Sequence, residues 1–135
     1  MVKKTKPSII ILVMVLLMIL LPLNLGAQYY NSVSNTQQAE TVSKKQAVRK
    51  AKEYLDFCAF SRGGLIEQLK YEKFTQADAV YGADNSGANW NEQAVRKAKE
   101  YLGFCAFSRG GLIEQLKYEK FTQAQAEYGA NAVGL

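Results

Sequence analysis

The strongest constraint on this 135-residue chain is that most of it after residue 45 is one unit written twice. Gln46–Asp84 and Gln93–Asn131 align without a gap at an offset of 47. Over those 39 positions only four differ: Asp56/Gly103, Asp78/Gln125, Val80/Glu127 and Asp84/Asn131. A duplication of this fidelity governs every later reading, because a chemical constellation counts only if it is complete inside one copy. One copy alone is marginal in size for a hydrophobic core.

Each copy reads as three short helices. Ala47, Val48, Ala51, Tyr54, Leu55 and Cys58 recur at i, i+1, i+4, i+7, i+8 and i+11, one stripe of an amphipathic helix. Ser43 with Gln46 makes a capping box for its start, and Asn89 with Glu92 does the same in the second copy. Phe60-Ser61 breaks the pattern, with Ser61 as the next N-cap. A second helix carries Leu65, Ile66 and Leu69 inward. Phe74-Thr75 is the second break, and Thr75 with Asp78 forms a further capping box. It leads Ala77, Val80 and Tyr81 into a third helix that Gly82 and the turn at 84–87 end. Phe57, Phe60, Phe74, Tyr54, Tyr81 and four aliphatics supply the core. The fold class is all-α: an N-terminal membrane-spanning or signal segment, then two tandem three-helix helix-turn-helix repeats, 43–88 and 89–135.

Residues 1–27 concern a membrane. Lys3, Lys4 and Lys6 precede an unbroken apolar run from Ile9 to Leu21, and Leu25-Gly26-Ala27 follows with small residues. A basic n-region, an apolar h-region and a small-residue c-region describe a secretory signal, with the Lys cluster staying cytoplasmic. Leu25 is large for a cleavage site. Left uncut, residues 7–27 approach the roughly 20 apolar positions that a span needs, so a retained signal anchor is favoured over a cleaved product. Residues 28–42 are polar, short of large aliphatics and show neither a 2.0 nor a 3.6 period, which predicts a flexible linker. The repeats are then expected on the extracytoplasmic side of the cell membrane.

The net charge of +5 invites a nucleic-acid reading until it is laid along the chain. Three positives orient the leader, and Lys44 and Lys45 precede the first repeat. The copies carry six basic against six acidic and six against four, only +2 together. The second helix, Arg62 to Glu72, is neutral, so a DNA recognition helix is disfavoured. With no His in the chain, the commonest general base and zinc ligand is missing. No Gly-rich phosphate loop or metal-spaced set appears. Gly63-Gly64 and Gly110-Gly111 open helices, where glycine allows close approach. These features predict no enzyme, no catalytic residue, no metal, no cofactor, no nucleic acid and no small-molecule substrate.

Two stretches carry a resemblance: Ala-Asn-Trp-Asn-Glu-Gln-Ala-Val-Arg-Lys-Ala-Lys-Glu-Tyr-Leu (88–102) and Ala-Phe-Ser-Arg-Gly-Gly-Leu-Ile-Glu-Gln-Leu-Lys-Tyr-Glu-Lys-Phe-Thr (106–122). The pattern, matched again over 46–81, resembles the Ltp family of host cell surface-exposed lipoproteins. That resemblance implies an extracytoplasmic protein of Gram-positive bacteria or their prophages. It also implies superinfection exclusion: blocking of DNA injection by an incoming phage, with the tape measure protein as partner. A surface or envelope interaction module without a phage role is the alternative. The chain departs from the family in three places. No Cys precedes Cys58, so no lipobox is present and a membrane anchor takes over that job. Lys73 and Lys120 stand where the family favours Gly, at about a kcal/mol in a left-handed conformation. Ser43 stands where the second copy has Trp90.

Cys58 and Cys105 occupy one position of the stripe in each copy and read as small buried hydrophobes. Glu67, Lys70, Tyr71 and Glu72 recur as Glu114, Lys117, Tyr118 and Glu119 on the outer side of the second helix. They read structurally as a solvated face with i,i+3 Glu67–Lys70 pairing worth tenths of a kcal/mol. Functionally, they are the candidate partner-binding patch, shown twice so that two weak contacts gain avidity.

Overall fold

The computed structural model describes the backbone of residues 9–135, and side chains at Gln28 and from Asn31 onward. Six helices follow in order: α1 (Ile9–Phe57), α2 (Arg62–Tyr71), α3 (Gln76–Asp84), α4 (Trp90–Phe104), α5 (Arg109–Tyr118) and α6 (Gln123–Ala132). Among the described residues no strand occurs, and no helix is long and apolar enough to cross a membrane. The leader at 1–27, read as signal or anchor, falls on residues whose placement or side chains lie outside that description.

Residues 28–42, expected as a flexible linker, are helical and form part of α1. No glycine or proline lies between Ala27 and Arg62 to stop the helix. Two hydroxyls join the helical ladder: Ser34 Oγ donates to the Asn31 carbonyl and Thr36 Oγ1 to that of Ser32. The side chains described from Asn31 to Val42 are exposed, so this stretch is helical without a buried face.

Thr41–Leu135 forms one compact unit holding both repeats. Each repeat has its own core. In the first, Ala51, Leu55, Leu65, Leu69, Ala79 and Ala83 pack together. In the second, Ala94, Ala98, Leu112, Ile113, Leu116, Phe121, Ala126 and Ala130 do so. Alanine makes up half of each core because α3 and α6 lie hard against the first helix of their repeat. A Cβ built on Gly82 would stand 2.9 Å from the Ala47 carbonyl carbon, and one on Gly129 2.9 Å from the Ala94 oxygen. Gly82 therefore sits inside α3, at a close crossing, instead of ending it. The inward face is Asp78, Ala79, Gly82 and Ala83; Ala77 and Tyr81 are exposed and Val80 is half-buried.

The N-caps form where their chemistry places them. Ser61 accepts from the Gly64 amide, Thr75 from that of Asp78, and Asn89 from those of Asn91 and Glu92. The box around Thr75 closes only in the second repeat, where the Gln125 side chain returns to the Thr122 amide. Asp78 is diverted: its carboxylate accepts from Ser43 Oγ at 2.6 Å. Ser43 consequently caps nothing, because α1 runs straight through it.

Three core assignments need correction. Phe57 is 91% exposed and Phe104 90% exposed. At 100° per residue Phe57 lies roughly 120° around the helix from the Ala47–Ala51–Leu55 stripe, so aromatic character did not bring it inside. Tyr81 is 42% exposed. Cys105 is exposed and Cys58 only half-buried, both as free thiols. Cys105 is the C-cap of α4 and adopts extended backbone, which peels it off the stripe.

Candidate functional site

The site is built where one repeat meets the other. The first helix of repeat one ends at Phe57, leaving late carbonyls and following amides without helical partners. Side chains of α4 supply them. Arg96 Nη1 donates to the Leu55 carbonyl at 2.8 Å. The Ala59 amide donates to Glu100 Oε1 at 2.9 Å, and that of Phe60 to Gln93 Oε1 at 3.4 Å. Lys97 Nζ stands 5.8 Å from the Phe60 ring centroid. Then the α5–α6 turn closes on the start of α2: Ser61 Oγ donates to the Glu119 carbonyl, and Lys120 pairs with Glu67.

Lys120 reaches Glu67 from a left-handed backbone, φ 68°, matched by Lys73 at φ 70°. The unfavourable conformation anticipated for these lysines is therefore present in both repeats. The approach is tight, since a Cβ on Gly63 would lie 3.0 Å from Lys120 Cβ. Here Gly63-Gly64 admits the neighbouring repeat.

Between the repeats lies a groove of about 640 Å³ lined by Phe60, Gly64, Glu67, Gln68, Tyr71, Tyr118, Glu119 and Lys120. Four of the eight patch residues, Glu67, Tyr71, Tyr118 and Glu119, meet there. Tyr71 and Tyr118 are 77% and 81% exposed, large aromatic surfaces open to solvent. Lys70, Glu72, Glu114 and Lys117 are not among its lining residues. Glu72 accepts from the Tyr54 hydroxyl, and Glu114 pairs with Lys117 at 2.9 Å. The i,i+3 pair expected at Glu67–Lys70 thus appears only in the second repeat, because Lys120 engages Glu67 in the first.

Beneath the patch the tyrosines are held by carboxylates. Tyr101 OH donates to Glu119 Oε1 at 2.5 Å and accepts from Gln115 Nε2 at 3.0 Å. Burial, then the Glu119 hydrogen bond, pushes the Tyr101 hydroxyl above its usual range. In repeat one the Glu72 hydrogen bond is the leading cause of the same upward shift at Tyr54. Both phenols are therefore neutral donors that fix the helix ends carrying Tyr71 and Tyr118. Among the described residues no group of three Cys, Asp or Glu side chains is placed to hold a metal. What this arrangement offers is a concave, aromatic and charged surface suited to binding.

The pattern that sequence reasoning missed is the junction itself. Gln93, Arg96, Glu100 and Lys120 each have an identical equivalent in repeat one, so nothing in the text marks one set as buried contacts.

Comparison with known proteins agrees with this two-repeat layout. The family model for host cell surface-exposed lipoproteins, Lipoprotein_Ltp, matches residues 43–85 and again 89–133. The solved structure of Ltp, a superinfection exclusion protein from the Streptococcus thermophilus temperate phage TP-J34, is similar with 35% sequence identity and a TM-score of 0.63. That match covers 66% of this chain and 93% of the other. No curated protein matches by sequence. Matched over both repeats by the family model, and similar in fold to a solved Ltp protein, this chain belongs to the Ltp family of host cell surface-exposed lipoproteins.

Proposed function

We propose that this protein excludes superinfecting phage, working outside the cell by binding a protein needed for DNA injection. The observation that carries the reading is the match to the phage TP-J34 superinfection exclusion protein, which covers 66% of this chain at 35% identity. The basic and apolar leader at 1–27 supports export and retention at the membrane, in place of the missing lipobox Cys. The inter-repeat groove is the binding surface in this reading. Its exposed Tyr71 and Tyr118 give rigid aromatic anchors, with Glu67, Glu119 and Lys120 as a polar rim. A phage tape measure protein, the partner that the family resemblance implies, is the partner class proposed.

The test is expression in a sensitive host followed by phage challenge. Adsorption should stay normal while phage DNA entry falls. Tyr71→Ala/Tyr118→Ala should restore plaquing by at least about tenfold without altering the helical circular-dichroism signal, since both rings are exposed. Unchanged plaquing by the wild-type protein across several phages would remove exclusion and leave an envelope module without a phage role. Full exclusion by the double variant would instead remove the groove.

A further inference from the structure

The junction between the repeats joins unlike faces, and each face recurs on the other repeat. One face is the end of a repeat's first helix with the start of its second: Leu55, Ala59, Phe60, Ser61, Gly63 and Glu67. The other is built from the first helix and the last turn of the next repeat: Gln93, Arg96, Lys97, Glu100, Glu119 and Lys120. Adding 47 to the first set gives Leu102, Ala106, Phe107, Ser108, Gly110 and Glu114; subtracting it from the second gives Gln46, Arg49, Lys50, Glu53, Glu72 and Lys73. Every residue type is the same. The two repeats therefore carry, on their outer sides, both halves of their own internal interface.

Both ends are open. Ser61 is 1% exposed and Ala59 fully buried, whereas Ser108 and Ala106 are exposed. A Cβ on Gly63 would meet Lys120, yet one on Gly110 would meet nothing within 4 Å. Among the described residues no protein group receives the Ala106 and Phe107 amides, whose counterparts bond to Glu100 and Gln93. At the opposite end, Arg49 and Glu53 side chains are 73% and 54% exposed. With their neighbours they line a depression of about 260 Å³.

The charged groups at the open ends fall back on local partners. Glu114 pairs with Lys117 where Glu67 pairs with Lys120. Lys50 lies over its own Tyr54 ring, where Lys97 lies over Phe60 of the other repeat. Lys73 holds the same left-handed backbone as Lys120 but reaches only the Tyr71 ring.

We propose that a second copy of this chain docks head to tail, its Lys73 face seated on the Ser108–Glu114 face of the first. Such a contact is heterologous, so it leaves one open face at each end and can propagate. Each junction would pair Lys73 with Glu114, give the Ala106 amide to Glu53 and bring Arg49 to the Leu102 carbonyl. It lacks Trp90, which packs against the core of repeat one and is replaced by Ser43, and Asp56, which lies beside Gln93 and Arg96 and is replaced by Gly103. Without the covalent tether, which supplies an effective concentration on the order of millimolar, the contact is weak in dilute solution.

Sedimentation of the purified full chain in non-ionic detergent from ~10 µM to ~1 mM tests this. Wild-type protein should associate as concentration rises. Glu114→Lys and Lys73→Glu should each weaken association by about tenfold, since each sets like charges face to face. An equimolar mixture of the two should recover wild-type association, because every junction then pairs unlike charges. Gly110→Leu, placed where the lone molecule has open space, should block association with unchanged circular dichroism. A wild-type chain that stays monomeric throughout overturns the proposal. So does association that ignores all three substitutions, or a mixture that fails to recover.

Discussion

Arg62 and Asp84 show how one residue can separate two nearly identical repeats. Arg62 Nε and Nη2 donate to the two Asp84 oxygens at 2.5 and 2.8 Å, tying the start of α2 to the end of α3. Repeat two keeps the geometry without the charge: Arg109 Nη2 donates to Asn131 Oδ1 at 2.8 Å. The Arg62 hydrogen bond holds the Asp84 carboxyl below its ordinary value of 3.8. A depressed carboxylate stabilises the fold above its unfolded pKa and loses that contribution as pH falls through the folded one. With side chains 45% and 43% exposed, solvent screening keeps the pair below about 1 kcal/mol. Asp84→Asn should therefore cost at most that much near pH 7 and less at a pH well below 3.8, measured by urea unfolding at both. An equal cost at the two pH values would show that the pair acts through geometry alone.

At the scale of elements, the start of the second helix is the informative comparison. Gly63 and Gly110 occupy the same helical position, and alanine is the better helix former by up to about 1 kcal/mol. Gly110→Ala should be neutral or stabilising in chemical denaturation, because nothing stands within 4 Å of its added Cβ. Gly63→Ala should be at least about 0.5 kcal/mol worse, since its Cβ would crowd Lys120. The same elements show what the sequence could tell. Ser61, Thr75 and Asn89 were readable as caps because a short polar side chain before an amphipathic run has few other uses. Leu65 and Leu69 were readable as core from helical period. Ser43 was misleading because a cap signal means little when no breaker precedes it, and Gly82 because glycine marks a close crossing as well as a stop. Phe57 failed for a geometric reason, lying off the buried stripe despite its hydrophobicity. The patch was partly legible: Glu67, Tyr71, Tyr118 and Glu119 converge on one groove. That convergence depends on how two identical units dock, and no periodicity within a unit encodes it.

For the whole molecule, docking makes identical side chains unequal. Arg96 bonds across to the Leu55 carbonyl, while Arg49, among the described residues, pairs with Glu53 on its own helix. Arg96→Ala should destabilise the paired repeats by about 1 kcal/mol and broaden the urea transition. Arg49→Ala should cost only tenths. Equal costs would mean that the repeats fold as independent beads. The interface also has a consequence for chain length. Because every unit brings one knob and one socket of the same joint, inserting a further 47-residue unit consumes one socket and regenerates another. The total number of units is then a free variable: the chain can be lengthened in whole steps without inventing any new contact surface, and every added step brings one more groove of the same make.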